Sequence, residues 1–182
     1  MTGDGFSLAD ETPSVHLLKQ NIPVRVHDPS TIVKCKDEYW VFFTGDGIPS
    51  AHSKDLAHWE TGPAVFTNVP GGITQAVTAH RGNETWAPDI IHFGNEYRLY
   101  YAVSTFGKNT SAIALVTNPT LDPRDLQYHW MDHGIVVQSN ERDDFNTIDP
   151  AVTRDEHSSL WLAFGSYWSG IKLIQLDPTS GK

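Results

Sequence analysis

The sequence is poor in cysteine, in basic residues and in long apolar runs. Cys35 is the single cysteine among 182 residues, so no disulfide can form within the chain. No apolar run of about 18 residues occurs, and we therefore predict no membrane-spanning helix and no membrane partner. Lys and Arg number 13 against 22 Asp and Glu, which gives a formal net charge of −9. Because nucleic-acid phosphates are met by basic side chains, this balance argues against a nucleic-acid partner.

The residues that are abundant favour strands and turns. Hydrophobic residues make up 39% of the chain and charged residues 19%, a balance typical of a folded protein rather than a disordered one. The 14 glycines and 11 prolines punctuate stretches rich in Thr, Val, Tyr and Trp. The composition predicts an all-β fold, and the length alone suggests a single domain.

A repeat of roughly 60 residues organises the chain. Three segments align without a gap: DPSTIVKCKDEYWVFF from Asp28, WAPDIIHFGNEYRLYY from Trp86 and DPAVTRDEHSSLWLAF from Asp149. Each reads as a strand, a polar turn and a second strand that is apolar on both faces. Third strands are expected near residues 51–53, 112–116 and 171–176, and fourth strands near residues 64–67 and 135–138. Four antiparallel strands per unit are the plan of a β-propeller blade, whose middle strands are covered on both faces. The alternative is a β-sandwich whose hairpins happen to be similar.

The number of blades leads to a prediction about the whole protein. Propellers have at least four blades, whereas this chain supplies two complete blades and most of a third. We therefore expect it to be the N-terminal part of a longer protein, or a fragment. Residues 1–23 are predicted to form an N-terminal extension or a partial outer strand, and residues 24–182 to form blades one to three, with the third incomplete. Self-association is also predicted, because an open blade edge exposes backbone hydrogen-bonding groups and apolar surface.

The alignment places three chemically notable residues at one position of the repeat. Asp28, Trp86 and Asp149 each begin the innermost strand of a unit, and in a propeller that position surrounds the central axis. Two carboxylates for acid–base chemistry beside a flat ring for stacking are typical of a sugar site. The alternative is that both aspartates only cap turns, since Asp before Pro is common where a strand begins.

Five motifs, in order, carry a resemblance to a known family. VHDPSTI, WAPDI, YAVSTFG, NTIDPAV and LAFGSYWSGIKL resemble glycoside hydrolase family 43, and in particular its endo-1,5-α-L-arabinanases, from Val24 onward. The resemblance implies a five-bladed β-propeller, of which about three blades are present here. It also implies hydrolysis of α-1,5-linked L-arabinan with inversion of configuration. Because that substrate is a plant cell-wall polymer, we expect an extracellular or periplasmic location, although MTGDGFSLADETPSV shows no signal peptide.

The resemblance also implies catalytic roles for the two aspartates. Asp28 would be the general base, and Asp149 would orient the general acid and raise its pKa. The acid itself is a Glu that the family places in a later blade, so we expect this chain to lack it and to be inactive alone. Glu141 and Glu156 occupy loop or turn positions and are not assigned that role. No cofactor or metal ligand is predicted within this chain, although a central divalent ion such as calcium is expected to be compatible with the full-length protein.

Substrate-binding residues follow from the same motifs. Trp86 and Phe106 are expected to be the aromatic walls of the central subsite, Asn146 and Ser166 to donate hydrogen bonds to the sugar, and Ile148 to pack beside it.

Several neighbours of these residues are left with two interpretations. Asp89 and Ser104 either take part in the site or only support a loop, and Trp168 either lines the groove or lies outside it. His27 is interpreted as a surface or core residue, because Asp28 already fills the position of the base. The rival to an enzyme is an arabinan-binding or assembly module that completes a propeller with another chain.

Overall fold

The structure is a computed structural model that describes residues 24–182. Within that range the chain forms three antiparallel sheets that follow one another along the sequence. No helix in this part of the chain combines the length and the apolar character that crossing a bilayer requires. The all-β class predicted from composition is confirmed.

Sheet 1 is a four-stranded antiparallel sheet with the order β1-β2-β4-β5. Its strands are β1 Val33–Cys35, β2 Glu38–Phe42, β4 Ser50–Ser53 and β5 Glu60–Gly62. The turn between β1 and β2 is the predicted one, and Lys36 closes it in the left-handed region at φ 53°. The fourth strand was predicted at residues 64–67 and instead lies at Glu60–Gly62. That prediction is wrong because Pro63 and the residues after it follow a loop, in which Val65 and Phe66 hydrogen-bond to Ile48 and Gly47.

Sheet 2 is the largest and has the order β3-β6-β7-β8-β9. Its strands are β3 Gly45–Asp46, β6 Glu84–Phe93, β7 Glu96–Ser104, β8 Ser111–Asn118 and β9 Met131–Ser139. A helix, α1 Gly71–Ala76, precedes β6 and buries Ile73. Thus the predicted third and fourth strands near 112–116 and 135–138 are present, and both are longer than expected. The short strand β3 joins sheet 2 although it follows β2 of sheet 1 in the sequence.

Sheet 3 contains three strands with the order β10-β11-β12. They are β10 Ala151–Arg154, β11 Leu160–Phe164 and β12 Lys172–Leu176. The turn between β10 and β11 is closed by Asp155, whose carboxylate accepts hydrogen bonds from the N–H groups of His157 and Ser159. This turn is longer than the two-residue turns of sheets 1 and 2.

Sheet 2 is packed between the other two sheets, and strict alternation along its strands divides its side chains between them. Leu99, Tyr101 and Val103 of β7 pack in one cluster with Trp40 of sheet 1. Tyr100 and Ala102, on the opposite face of the same strand, pack with sheet 3 through Leu160, Leu162 and Phe164. Because both faces of β7 are buried, its central part from Leu99 to Val103 carries apolar or aromatic side chains at successive positions instead of alternating with polar ones.

The outer sheets have one face that is only partly covered. The far face of sheet 1 carries a small cluster built on Val41, Phe43 and Ala51. Val26 and Ile32 beside it are 47% and 48% exposed. On sheet 3, Leu173 is 60% exposed.

Candidate active site

Three segments share an unusual backbone: the loops that precede β1 and β10, and the N-terminal part of β6. Asp28, Ala87 and Asp149 each precede a proline and each lie in the left-handed region, with φ of 48°, 37° and 53°. A residue before proline normally adopts an extended conformation, and a side chain with φ above zero is uncommon. Strain of this kind is concentrated at functional sites, so three copies around one opening mark it as a candidate site.

The middle member of this set is Ala87 and not Trp86, which corrects the sequence alignment by one residue. Trp86 pairs with Ala102 of the second strand of its sheet. His27 and Ile148 occupy the equivalent position in sheets 1 and 3. The carbonyl of His27 accepts a 2.9 Å hydrogen bond from the N–H of Thr44, just after β2, and that of Ile148 accepts a 2.8 Å bond from the N–H of Gly165, just after β11. The segment after the equivalent residue is one residue shorter in sheet 2: Trp86 lies five residues before Ile91, whereas His27 lies six residues before Val33, and an ungapped alignment does not count this difference.

The structure brings Asp28 and Asp149 to one opening. Together with the loop around Ala87 and Pro88 they line a cavity of about 370 Å³. The pKa of Asp149 is raised, chiefly by burial and secondly by the negative charge of Asp28. The two carboxylates are therefore close enough to influence one another, as a pair of groups with different catalytic roles requires.

The side chain of Asp28 is fixed through one carboxylate oxygen, so that the other oxygen can still accept a hydrogen bond. Thr44 Oγ1 donates a hydrogen bond of 2.8 Å to Asp28 Oδ2. The same Thr44 oxygen accepts a 2.7 Å hydrogen bond from the N–H of Ala87. His27 Nε2 lies 3.3 Å from Asp28 Oδ2 on the exposed side. Thr44 thus ties the candidate base to the neighbouring loop of sheet 2, a role that no sequence motif indicated.

Asp89 is buried between the two loops that carry the aspartates. Its side chain hydrogen-bonds to the backbone on both sides: Oδ1 accepts from the N–H of Thr31 at 2.9 Å and Oδ2 from the N–H of Val152 at 2.8 Å. The residue is 7% exposed. Of the two interpretations of Asp89, the contacts favour the one in which it supports a loop, and in fact it supports two.

A larger cleft of about 680 Å³ lies beside Trp86. It is lined by all five residues predicted to bind substrate: Trp86, Phe106, Asn146, Ile148 and Ser166. Ser104 and Trp168, which had two interpretations, also line it, and so does Tyr167, which the sequence analysis missed. Phe106 and Tyr167 are 86% and 90% exposed, so their rings are available for stacking. Tyr167 and Trp168 are consecutive left-handed residues, a signal that the sequence does not show.

Asn146 is oriented as a donor toward this cleft. Its Oδ1 accepts a hydrogen bond of 2.9 Å from the N–H of Ser166. The oxygen already accepts one hydrogen bond, which fixes the orientation of the amide and makes its NH₂ the group we expect to bind a ligand. The adjoining Thr147 is buried, and its N–H is bound by the hydroxyls of Ser111 and Ser139. This buried network fixes the loop that carries both Asn146 and Asp149.

No glutamate among residues 24–182 lines either the opening or the cleft. Glu141 is exposed in a loop, and Glu156 lies in the turn between β10 and β11, where it contacts His157. Within the described residues no three His, Cys, Asp or Glu side chains are grouped so that they could hold a metal ion. No catalytic step is assigned to a metal ion.

Comparison with known proteins adds a family to this geometry. The family described as "Glycosyl hydrolases family 43" matches residues 21–182. Among curated relatives, the extracellular exo-alpha-(1->5)-L-arabinofuranosidase of Cellvibrio japonicus is 42% identical over 155 residues, and the alignment covers 85% of this chain and 44% of that protein. The extracellular endo-alpha-(1->5)-L-arabinanase 1 of Bacillus subtilis is 37% identical, covering 86% of this chain and 48% of that protein.

A solved structure shows the same backbone. The alpha-L-arabinanase of Cellvibrio cellulosa complexed with arabinohexaose superposes with a TM-score of 0.82 at 40% identity. The match covers 87% of this chain and 50% of that one. The chain thus spans about half the length of the relatives that it matches.

Proposed function

Because the chain belongs to glycosyl hydrolase family 43, we propose that it contributes two of the catalytic carboxylates of an enzyme that cleaves α-1,5-linked L-arabinan with inversion. The observation that carries the proposal is the pair of aspartates at one opening, Asp28 and Asp149, beside an aromatic-lined cleft. The names of the relatives supply the substrate class.

Asp28 acts as the general base. Inversion requires a water molecule on the face of the sugar opposite the leaving group, and a carboxylate that takes its proton. Asp28 sits at the exposed side of the opening, where water reaches it, and Thr44 fixes one of its oxygens by donating a hydrogen bond. The second oxygen is left to accept the proton of the attacking water. The base and the acid should lie roughly 6.5–9.5 Å apart, so that this water fits between them and the sugar.

Asp149 acts on the general acid rather than on the sugar. A carboxylate near a second carboxyl group disfavours ionisation of that group, and so keeps it protonated at a pH where it must donate. The raised pKa of Asp149 itself shows that negative charge is already costly at this opening. The general acid is a glutamate that none of residues 24–182 supplies at the opening. We propose no role for Glu141, Glu156 or a calcium ion in the reaction.

The cleft binds the sugar chain. Trp86 and Phe106 provide flat apolar faces, Ile148 fills the space beside them, and Asn146 and Ser166 donate hydrogen bonds. Stacking on an aromatic ring suits a furanose, whose ring presents an apolar face between its hydroxyl groups.

The three sheets are proposed to be the first three blades of a five-bladed propeller. Sheets 1 and 2 have the four-strand antiparallel meander of a blade, with β3 added to sheet 2, whereas sheet 3 has three strands among the described residues. The repeated left-handed loops at Asp28, Ala87 and Asp149 lie around one opening, as the innermost strands of blades do. Residues 24–182 belong to one catalytic domain in this proposal, and residues 1–23 lie outside the described part.

We propose endo action on an extracellular polymer. The relatives named above are called extracellular, and one is named for exo and the other for endo activity. Incubation with linear arabinan followed by product analysis tests the function and the mode together. Short oligosaccharides at early times support endo action, arabinose alone means exo action, and absence of any cleavage by the intact protein overturns the proposed function.

A second candidate, self-association, is favoured by the partly covered outer faces. Val26 and Ile32 on sheet 1 and Ile171 and Leu173 on sheet 3 expose large apolar side chains. Copies of the chain that pair through these faces would bury them. Sedimentation velocity across a concentration series tests this, and a species whose mass stays that of a monomer at high concentration contradicts it.

A further inference from the structure

We propose that Asp89 is a positioning residue that sets the separation of Asp28 and Asp149 by tying together the two loops that carry them. This role rests on the proposed function. It assigns a task to a buried carboxylate that lines the opening with Asp28 and Asp149 but does not line the larger cleft beside Trp86.

The placement of the two hydrogen bonds is symmetrical. One carboxylate oxygen of Asp89 binds the N–H of Thr31, three residues after Asp28, and the other binds the N–H of Val152, three residues after Asp149. A single rigid side chain therefore spans sheets 1 and 3 from its position on sheet 2. Each of the two bonds is within 3 Å, so neither loop can move away without breaking one of them.

The chemistry requires a carboxylate at this position. Both partners are N–H donors, and among side chains of this length only a carboxylate offers two acceptor oxygens. Asn offers one oxygen and one NH₂, so an Asn at this position would direct a donor at one of the two backbone N–H groups. That loop would lose its hydrogen bond and would also leave a buried donor unpaired, which costs more than the lost bond alone.

The position of Asp89 gives it an effect on catalysis rather than on stability alone. The loops of Asp28 and Asp149 are strained, with φ above zero before proline, and such conformations persist only where neighbouring contacts hold them. The charged and titratable groups facing Asp149 across the opening are Asp28, Asp89 and, next to Asp28, His27. A shift of one loop by about 1 Å can cost about 100-fold in rate when it misplaces a catalytic group.

The test compares Asp89→Asn with a matched control, Asp155→Asn. Asp155 also accepts two backbone N–H bonds, from His157 and Ser159, but it lies in the turn between β10 and β11 and away from the opening. In the intact protein, below the unfolding temperatures of all variants, Asp89→Asn should lower kcat on linear arabinan 10- to 100-fold with KM changed less than threefold. Asp155→Asn should leave both constants unchanged. An unchanged kcat per folded Asp89→Asn molecule overturns the proposal and leaves Asp89 a purely structural residue.

A second measurement does not depend on hydrolysis. The effect of Asp28→Asn on the pKa of Asp149, followed by carboxyl ¹³C NMR, measures the coupling of the two aspartates. Comparing that effect with and without Asp89→Asn cancels the charge that the Asn substitution itself removes. The coupling should be weaker in the Asp89→Asn background, and equal coupling in both backgrounds overturns the proposal. If the unaltered protein cleaves no arabinan while the coupling weakens, the proposed function fails and the positioning role stands.

Discussion

Aspartates lie in opposite electrostatic settings at the two ends of the sheets. One end is the opening with Asp28 and Asp149, and the other, the turn end, holds the β1–β2 turn with Lys36 and the β8–β9 loop with Asp122. At the turn end, Asp122 Oδ1 accepts a 2.7 Å hydrogen bond from Arg124 Nε, and its other oxygen lies 3.1 Å from Lys36 Nζ. These cations, Arg124 first and Lys36 second among side chains, hold the pKa of Asp122 well below its usual range. At the opening, burial and the charge of Asp28 raise the pKa of Asp149. No cationic side chain of Lys or Arg in the described chain lines that opening.

This contrast separates carboxylates that support the fold from carboxylates that are available for reaction. A carboxylate that is paired with exposed Arg and Lys side chains adds only a small stabilisation to a turn, and its oxygens are already engaged by those side chains. A carboxylate without a compensating cation destabilises the folded state slightly, and such carboxylates are concentrated at functional sites. The following predictions test whether the two ends respond as differently as their surroundings indicate.

The largest effect is expected at Asp28. Asp28→Asn keeps the hydrogen bond from Thr44 but removes the base, so kcat on arabinan should fall about 10²–10⁴-fold. KM should change little, because the binding residues are in the neighbouring cleft. Steady-state kinetics on linear arabinan check this. A loss confined to KM would place Asp28 among the binding residues instead.

The next largest effect is expected from Asp149→Asn, which should lower activity but raise stability at neutral pH. Asp149→Asn should lower kcat on the order of 10²-fold, because the acid loses the neighbour that keeps it protonated. The folded-state pKa of Asp149 is raised, so the folded protein binds this proton more tightly than the unfolded chain does. The free energy of unfolding therefore falls as pH rises from about 3.9 through that raised pKa, and Asn removes this loss.

Thermal unfolding at several pH values checks the stability half of that prediction. Asp149→Asn should unfold at a higher temperature than the unaltered protein at pH 7, and the difference should vanish near pH 3. A variant less stable at neutral pH would mean that the Asp149 carboxylate is compensated by a partner.

A smaller loss is expected from Thr44→Val. The substitution has nearly the same shape but removes the donor to Asp28 and the acceptor for the N–H of Ala87. We expect kcat to fall about tenfold, because one carboxylate oxygen is no longer fixed. Thr117→Val is the matched control, since Thr117 hydrogen-bonds to His133 within sheet 2. Equal losses in the two variants would show a general effect of losing a hydroxyl.

The smallest effect on activity is expected at the turn end. Lys36→Met removes a cation that contacts Asp122 and Asp125, and it should lower the unfolding temperature slightly with kcat unchanged. Lys36 lowers the pKa of both carboxyls, so its stabilisation is fully present above about pH 3.9 and declines as pH falls through the lowered folded-state pKa values. Thermal unfolding at pH 7 and at pH 2.5 checks this: the difference between the variant and the unaltered protein should be smaller at pH 2.5, and an equal difference at both pH values would mean that packing by the Lys36 side chain matters more than its charge.

Much of the site was visible in the sequence because two of its three loops repeat a short pattern. Asp28-Pro29 and Asp149-Pro150 have the same spacing to the apolar second strand, with Tyr39 and Leu160 each eleven residues after the aspartate, so the alignment brings the two aspartates together correctly. It misplaced Trp86 because the segment from Trp86 to Ile91 is one residue shorter than the one from His27 to Val33, which only the hydrogen bonding reveals. The dipeptide Ala87-Pro88 was the available signal, since each unit has a proline directly after its left-handed residue.

Other features could not be predicted because they depend on contacts between distant segments. Thr44 reaches Asp28 only once two sheets are in place, and its surroundings in FFTGDG form no motif. The displacement of the fourth strand of sheet 1 has the same origin, because the apolar residues Val65 and Phe66 turn inward to pack against sheet 2 instead of pairing as a strand. Hydrophobicity alone does not distinguish these two uses of an apolar residue.

The burial of sheet 2 on both faces has a consequence for how the protein opens. Amide protons of β7 and β8, whose residues lie almost entirely out of contact with solvent, should be replaced by deuterium only during global unfolding. Those of β1 and β12, at the margins of their sheets, should exchange through local fluctuations. The loop that carries Asp28 leads into β1 and therefore lies beside backbone that should exchange early, whereas its partner Asp89 lies on sheet 2, whose central strands should exchange late.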